Sequence, residues 1–305
     1  MLKFLGILLI GFMCQSCVRI AHQNDRIPSP IIVPDGAMMI VDKGQKDLPK
    51  NFRTLFHHPF FTYPKAPLLR ASGSAQPTVL QFQNVIKTIR SHLKQYGEDQ
   101  NIIPIYIADL RLEPHGYYGN ELVTIFEKEL WENFDTSLME TYEQKLFDHL
   151  RQQHDVILYR GIQKKGKLRL SQFLDRVSDG KEKLLTEKEY TKQLGVHYVR
   201  LAVRDHTAPT LRVLKEFFDF METLPKNAWV HFHCSAGRGR TSTFLFLYEL
   251  YKRRPSKDET FEGMTKRHTQ SGSIDFFDSK DTFQKGDREK RLHLLKTAFE
   301  QRQTH

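Results

Sequence analysis

The sequence predicts an α/β fold in which a sheet of short strands is covered by helices. Three observations predict it. Short apolar runs of strand composition alternate with longer stretches of helical periodicity. The chain of 305 residues, 39% of them hydrophobic, is long enough to bury a sizeable core, as one large domain or one domain with an insertion. One apolar run, Trp229 to His233, opens through a glycine-rich turn directly into an apolar helical stretch. The charged residues, 27% of the chain, are mixed along it, with no tandem repeat or low-complexity block; that excludes a solenoid and a long disordered tail. A net charge of +10 favours anionic partners and by itself leaves nucleic acid, an anionic membrane and a phosphorylated small molecule open.

The elements follow in order. Residues 1–17 carry one Lys, an apolar run from Phe4 to Met13 and then small polar residues, the pattern of a cleavable export signal too short for a permanent span. Ser16-Cys17 resembles the end of a bacterial lipobox, so Cys17 is a candidate lipidation site and membrane anchor, with simple secretion the alternative. The expected location is exported, periplasmic or membrane-anchored. Residues 18–50 are polar, Pro-dotted and aperiodic, and read as a linker; the folded domain is placed at 51–305. Gln76 to Tyr96 has apolar residues Val79, Phe82, Val85, Ile86, Ile89 and Leu93 on one helical stripe, with Pro77 suited to the first turn and Gly97 to the end. Ile102 to Leu110, Val156 to Tyr159 and His197 to Val203 read as strands. Helical patterns cover Glu121 to Phe134, Leu138 to Gln153, Leu211 to Thr223, Thr241 to Lys252, Glu259 to His268 and Asp287 to Gln303. The basic, glycine-punctuated stretch around 155–185 breaks this rhythm and reads as a small β insertion.

The chemistry concentrates after Trp229 to His233. There Cys234-Ser235-Ala236-Gly237-Arg238-Gly239-Arg240-Thr241 joins strand to helix, the layout of an anion cradle. Gly237 and Gly239 let the backbone turn inward, so that successive N–H groups converge on one oxyanion at the positive end of the following helix. The same field favours a thiolate, because a Cys at a helix N-terminus beside cationic side chains ionises below its free value. Cys234 is the only cysteine outside the leader among three in the chain. A lone cysteine is more often inert; its surroundings make this one a candidate nucleophile. Arg240 returns six residues later, where its planar fork can hold two phosphate oxygens. Thr241 offers a hydroxyl to the sulfur, and His233 is read as ordering the loop.

This loop resembles the His-Cys-x5-Arg-Ser/Thr signature of the protein tyrosine phosphatase superfamily and matches it at every defining position. The resemblance implies a protein tyrosine phosphatase-like central sheet flanked by helices, with the β insertion or a partial barrel beside it. It also implies a proton donor upstream, and Asp205, in Arg204-Asp205-His206-Thr-Ala-Pro209-Thr, is the candidate; without the loop it would read as a cap or turn residue. That segment is unlike the Trp-Pro-Asp loop of ordinary tyrosine phosphatases and is similar to the protein tyrosine phosphatase-like phytases of bacteria. Asp109-Leu-Arg111-Leu-Glu113-Pro-His115-Gly116 is similar to the Asp-Leu-Arg-x-Glu-x-His-Gly stretch of those enzymes, and Asn51-Phe-Arg53 with Ser72-Gly-Ser-Ala-Gln76 to their N-terminal region. The resemblance thus runs from about Asn51 to the C-terminus. It implies substrate contact or loop support by Arg53, Asp109, His115 and His206, with an Asp109–Arg111 supporting pair as the alternative. Lys266, Arg267 and Gln270 are candidates to face the pocket, though Lys266-Arg267 also fits a solvated helix. Arg238 departs from the family, where this position is often small or apolar.

The expected activity is therefore removal of phosphates from an inositol polyphosphate through a cysteinyl-phosphate intermediate. No metal or other cofactor and no nucleic acid is implied. A secreted protein tyrosine phosphatase would share every catalytic residue; an inactive phosphate-binding module is opposed by the intact Cys234, Arg240 and Asp205.

Overall fold

A computed structural model describes residues 37–40, 47–56, 68–125, 135–152, 156–164, 167–177, 183–274 and 285–304. The leader and Cys17 lie outside the described residues. Among those residues, no helix is long and apolar enough to cross a membrane.

The central sheet has five strands, built from Arg53–Thr54 (β2), Ala71–Ala75 (β3), Ile105–Arg111 (β4), His197–Val203 (β10) and Trp229–Cys234 (β11), in the order β10-β4-β11-β3-β2. The four long strands run parallel and β2 closes the edge antiparallel to β3. A parallel sheet is buried on both faces, so its strands read as continuous apolar runs; every residue of β11 is buried. Alternation still sorts the faces. Ile105, Ile107 and Trp229 pack with Phe82, Val85, Ile89 and Leu93 of helix α1 (Val79–Gln95). Ala108, Leu110, Val230 and Phe232 pack under helices α4 (Leu211–Thr223), α5 (Gly239–Lys252), α6 (Phe261–Gln270) and α7 (Lys285–Thr304). Helix α5 is buried all round from Arg240 to Leu250, which is why its sequence is apolar on every face.

A second sheet of six strands lies beside the first: Ala37–Ile40 (β1), His115–Tyr118 (β5), Glu121–Thr124 (β6), Val156–Lys164 (β7), Lys167–Val177 (β8) and Leu184–Thr186 (β9), in the order β8-β7-β1-β6-β5-β9. Helices α2 (Met139–Gln152) and α3 (Glu187–Gln193) complete the elements. The stretch read as a small insertion thus supplies the β7–β8 hairpin and most of β9 in a sheet drawn from four parts of the chain. Ala37–Ile40, inside the predicted linker, pairs with β6 and β7, and the carbonyls of Asp47 and Leu48 accept hydrogen bonds from Asn84 and Gln81 of α1.

The helix expected at Glu121 to Phe134 is corrected over its first part. Glu121–Thr124 is a strand paired with β5 across the Gly119-Asn120 turn, and 126–134 lies outside the described residues. The tight hairpin, with Gly119 at φ +57, overrides the helical spacing. Helix α1 starts at Val79, two residues beyond Pro77: Thr78 caps it in a reciprocal capping box with Gln81. The remaining predicted helices form within about two residues of the expected ends.

Candidate active site

The loop from Cys234 to Arg240 sits at the carboxyl end of β11, the central strand, and turns directly into α5. Gly237 has φ +67, and a Cβ there would lie 2.1 Å from the Ala75 nitrogen; only glycine fits. No side chain caps α5, so the N–H groups of its first turn stay free for an anion. Cys234 lies at the base, 3% exposed, and Thr241 Oγ1 donates to its sulfur over 3.2 Å. Ala236 and Arg238 are exposed at the rim.

Burial, the strongest influence on the Cys234 thiol, pushes its pKa up. The Arg240 charge and the hydrogen bonds from Thr241 outweigh it and leave the thiol below its ordinary value. Arg240 is itself fixed from behind. Glu113 takes a two-pronged contact from Nη1 (3.0 Å) and Nη2 (3.1 Å), and the Val203 carbonyl accepts from Nη1 at 2.9 Å. Arg111 holds the same carboxylate through Nε at 2.8 Å. Burial would raise Glu113, yet the two arginines hold its carboxyl well below the usual range. Asp205, exposed at the mouth, reaches Arg240 Nη2 at 2.9 Å. Cys234, Arg240 and Asp205 thus lie close together, the first two buried and Asp205 exposed.

His233 lies fully buried beneath the loop and contacts Glu187 of α3 at 2.5 Å. Burial would lower its pKa; the Glu187 carboxylate overcomes that and raises it. His115 touches the other oxygen of Glu187 at 3.2 Å and Asp109 at 3.4 Å. Arg200 closes this network on Asp109 (3.3 Å) and Glu143 (2.8 Å), and Tyr198 donates its hydroxyl to Asp109.

Of the residues read as substrate contacts or loop supports, several lie behind the loop. Asp109 and His115 are fully buried supports of the loop, and Asp109 pairs with Arg200 while Arg111 turns to Glu113. Arg53, 5% exposed, spends its guanidinium on the carbonyls of Asn51 and Gly237 and on the hydroxyls of Ser242 and Ser273, a buckle behind the loop. Arg267 pairs with Glu249 and Glu259 near the far end of α5, since the buried Glu249 demands cations there. Lys266 and Gln270 are exposed on the same helix. His206 stays at the rim, 3.2 Å from the Asp205 carboxylate. Glu113, Glu187 and Arg291 were not assigned from sequence. Glu113 stood inside the matched stretch; Glu187 reads as one acid of a capped surface helix, and Arg291 as one charge in a mixed run.

The strand-loop-helix carrying Cys234 and Arg240 inside a parallel sheet is similar to that of cysteine-dependent phosphatases. Within that class, the comparisons find similarity to the PTP-like phytases. The PTP-like phytase family model, described as inositol hexakisphosphate, matches residues 108–252. The tandemly repeated protein tyrosine phosphatase-like phytase of Mitsuokella multacida superposes with a TM-score of 0.68 at 25% identity, covering 89% of this chain and 47% of that one. The PTP-like myo-inositol phosphatase of the same organism, solved with myo-inositol-(1,3,4,5)-tetrakisphosphate, gives 0.68 at 24% identity, covering 88% and 46%. Effector protein hopD2 of Pseudomonas syringae pv. tomato is 24% identical over 72% of this chain and 46% of its own length. The chain spans about half the length of these relatives.

Proposed function

We propose that the protein removes phosphates from inositol polyphosphates by way of a cysteinyl-phosphate. The observation that carries this reading is the convergence of the Cys234 sulfur, the Arg240 fork and the Asp205 carboxyl at the phosphate loop. The Cys234 thiolate attacks phosphorus; the bond from phosphorus to the inositol oxygen breaks, and that oxygen takes the Asp205 proton. Water then gives a proton to Asp205 and attacks the same phosphorus, releasing phosphate and the thiolate. Arg240 holds the charge that spreads over the transferring oxygens. The family match and the inositol phosphate bound in the Mitsuokella enzyme support inositol phosphate as the substrate class. The exposed cations Arg204 and Arg238 suit a polyanion.

The test is phosphate release from inositol hexakisphosphate and from a phosphotyrosine peptide, with Cys234→Ser as control. Preference for the inositol phosphate, lost in the variant, is the expected result; preference for the peptide would move the function to phosphoprotein signalling. Membrane anchoring through lipidated Cys17 belongs to the same proposal and rests on the leader sequence. Intact-mass measurement of the exported protein tests it, with an unlipidated N-terminus as the contrary result.

A further inference from the structure

The turn that bears the acid is exposed and locally strained. Asp205 and His206 are both exposed, and His206 has φ +67, a left-handed region that strains a non-glycine residue and persists only where its surroundings fix it. The turn's own hydrogen bonds are short in range: the Thr207 amide and hydroxyl donate to the Arg204 carbonyl, and the His206 amide to the Asp205 carboxylate.

The fixing comes from a distant part of the chain. Arg291 of α7 is 7% exposed, and its Nη2 donates to the carbonyls of His206 (2.7 Å) and Thr207 (2.9 Å). The same guanidinium lies against the phosphate loop, where a Cβ on Gly239 would fall 2.9 Å from Nη1. One buried side chain therefore bridges the acid turn and the first residue of α5. Burial lowers the Arg291 pKa, while the negative charges of Cys234 and Asp205 oppose that fall, which places the cation in the field of the reacting groups.

We propose that Arg291 is a positioning residue: by clamping the carbonyls of His206 and Thr207 against the phosphate loop, it fixes where the Asp205 carboxyl stands relative to the Cys234 sulfur and so governs proton donation to the leaving oxygen. This deepens the phosphatase reading and rests on it. Its signature is a dependence on the leaving group. A nitrophenolate departs with little protonation, whereas an inositol alkoxide needs the acid, so a misplaced Asp205 penalises the second far more than the first.

The experiment compares p-nitrophenyl phosphate with inositol hexakisphosphate for wild type, Arg291→Met, Arg291→Lys, Asp205→Asn and the double variant Asp205→Asn/Arg291→Met. Arg291→Met is expected to lose on the order of 10²-fold in kcat on the inositol phosphate and far less on the aryl ester. Arg291→Lys is expected to recover part of the loss, because an ammonium can still donate to a carbonyl. The double variant should lose no more on the inositol phosphate than Asp205→Asn alone, as for residues acting through one step. Equal losses on both esters, or additive losses in the double variant, would overturn the proposal. Amide hydrogen exchange of the 205–208 segment is read in parallel and does not depend on turnover. Faster exchange in Arg291→Met supports the clamp, and unchanged exchange overturns it. Absence of turnover of both esters in the wild type would instead sink the phosphatase reading, with exchange still deciding whether Arg291 holds the turn.

Discussion

Helix α5 has a buried ionic network at each end, and only one of them is a site. At its start, Glu113, Asp205, Glu187 and His233 surround Arg240 and Cys234. At its finish, about 14 Å along the axis, Glu249 gathers Arg253, Arg267 and His268, and Glu259 joins the two arginines. Both networks lie largely out of water and carry carboxylates held below their usual pKa. They differ in what is left over. The far network closes on itself, acids to bases, and ends in the fold. The near one ends on a thiol kept low in pKa and, through the Arg240 fork, on the exposed Asp205 carboxylate, at the uncapped start of a helix. A buried ionic cluster becomes a candidate site when it ends on a reactive group and reaches the surface beside it.

The sharpest way to break this contrast is to remove the member beside the thiol. Arg240→Ala is expected to lower kcat on the order of 10³- to 10⁵-fold, the usual worth of an arginine in phosphoryl transfer. The melting temperature should fall as well, because Glu113 loses its two-pronged partner and keeps only Arg111. Arg240→Lys should be nearly as poor, since an ammonium cannot reproduce the fork. Near-normal turnover in either variant would remove Arg240 from the mechanism.

A second prediction concerns Glu187, one layer behind. Glu187→Gln should cost about 3–5 kcal/mol of stability, as expected when one partner of a buried charge set is removed, and kcat should fall by on the order of 10²-fold through misplacement of the loop. The pH profile gives the sign. The carboxylate raises the His233 pKa, and the imidazolium favours the neighbouring thiolate. With glutamine there, the imidazole turns neutral, the thiol titrates later, and the acid limb of the kcat/KM profile moves to higher pH. An unmoved limb would leave Glu187 as a purely structural residue.

What the sequence makes legible follows the same division. The loop is readable because its requirements are local: Cys234, the turning glycines, Arg240 and Thr241 must stand at fixed spacing between a strand and a helix. Asp205 is readable once that loop is seen, since the chemistry demands an acid nearby. The supports are not. Glu187 meets His233 across 46 residues of sequence and Arg53 meets Gly237 across 184, and neither side chain looks unlike a surface charge until the sheet brings them together. For the same reason Asp109 and His115 read as ligands or supports, and Arg267 as a candidate ligand, while the fold uses all three as struts. The second sheet was legible only around its β7–β8 hairpin, because its other strands are three or four residues long and scattered along the chain, too short to show a period of two.

The smallest effect on rate, and the strictest test of the contrast, belongs to Glu249. Burial by itself would raise this carboxyl, yet His268, Arg253 and Arg267 bring it down to about 2. A folded-state pKa below the ordinary 4.5 means that its stabilisation is present above about pH 4.5 and is lost as pH falls toward 2. Glu249→Gln should therefore melt well below the wild type at neutral pH, by about 3–5 kcal/mol for an uncompensated buried cation set. That gap should narrow as both proteins are taken down through pH 4 to 2, where the wild type loses what the variant never had. Thermal melts across this range check the sign, and kcat per folded molecule at neutral pH checks the location, with no change expected. A fall in kcat comparable to that of Glu187→Gln would show that the two ends of α5 are coupled through the helix, and that the far network belongs to the catalytic apparatus after all.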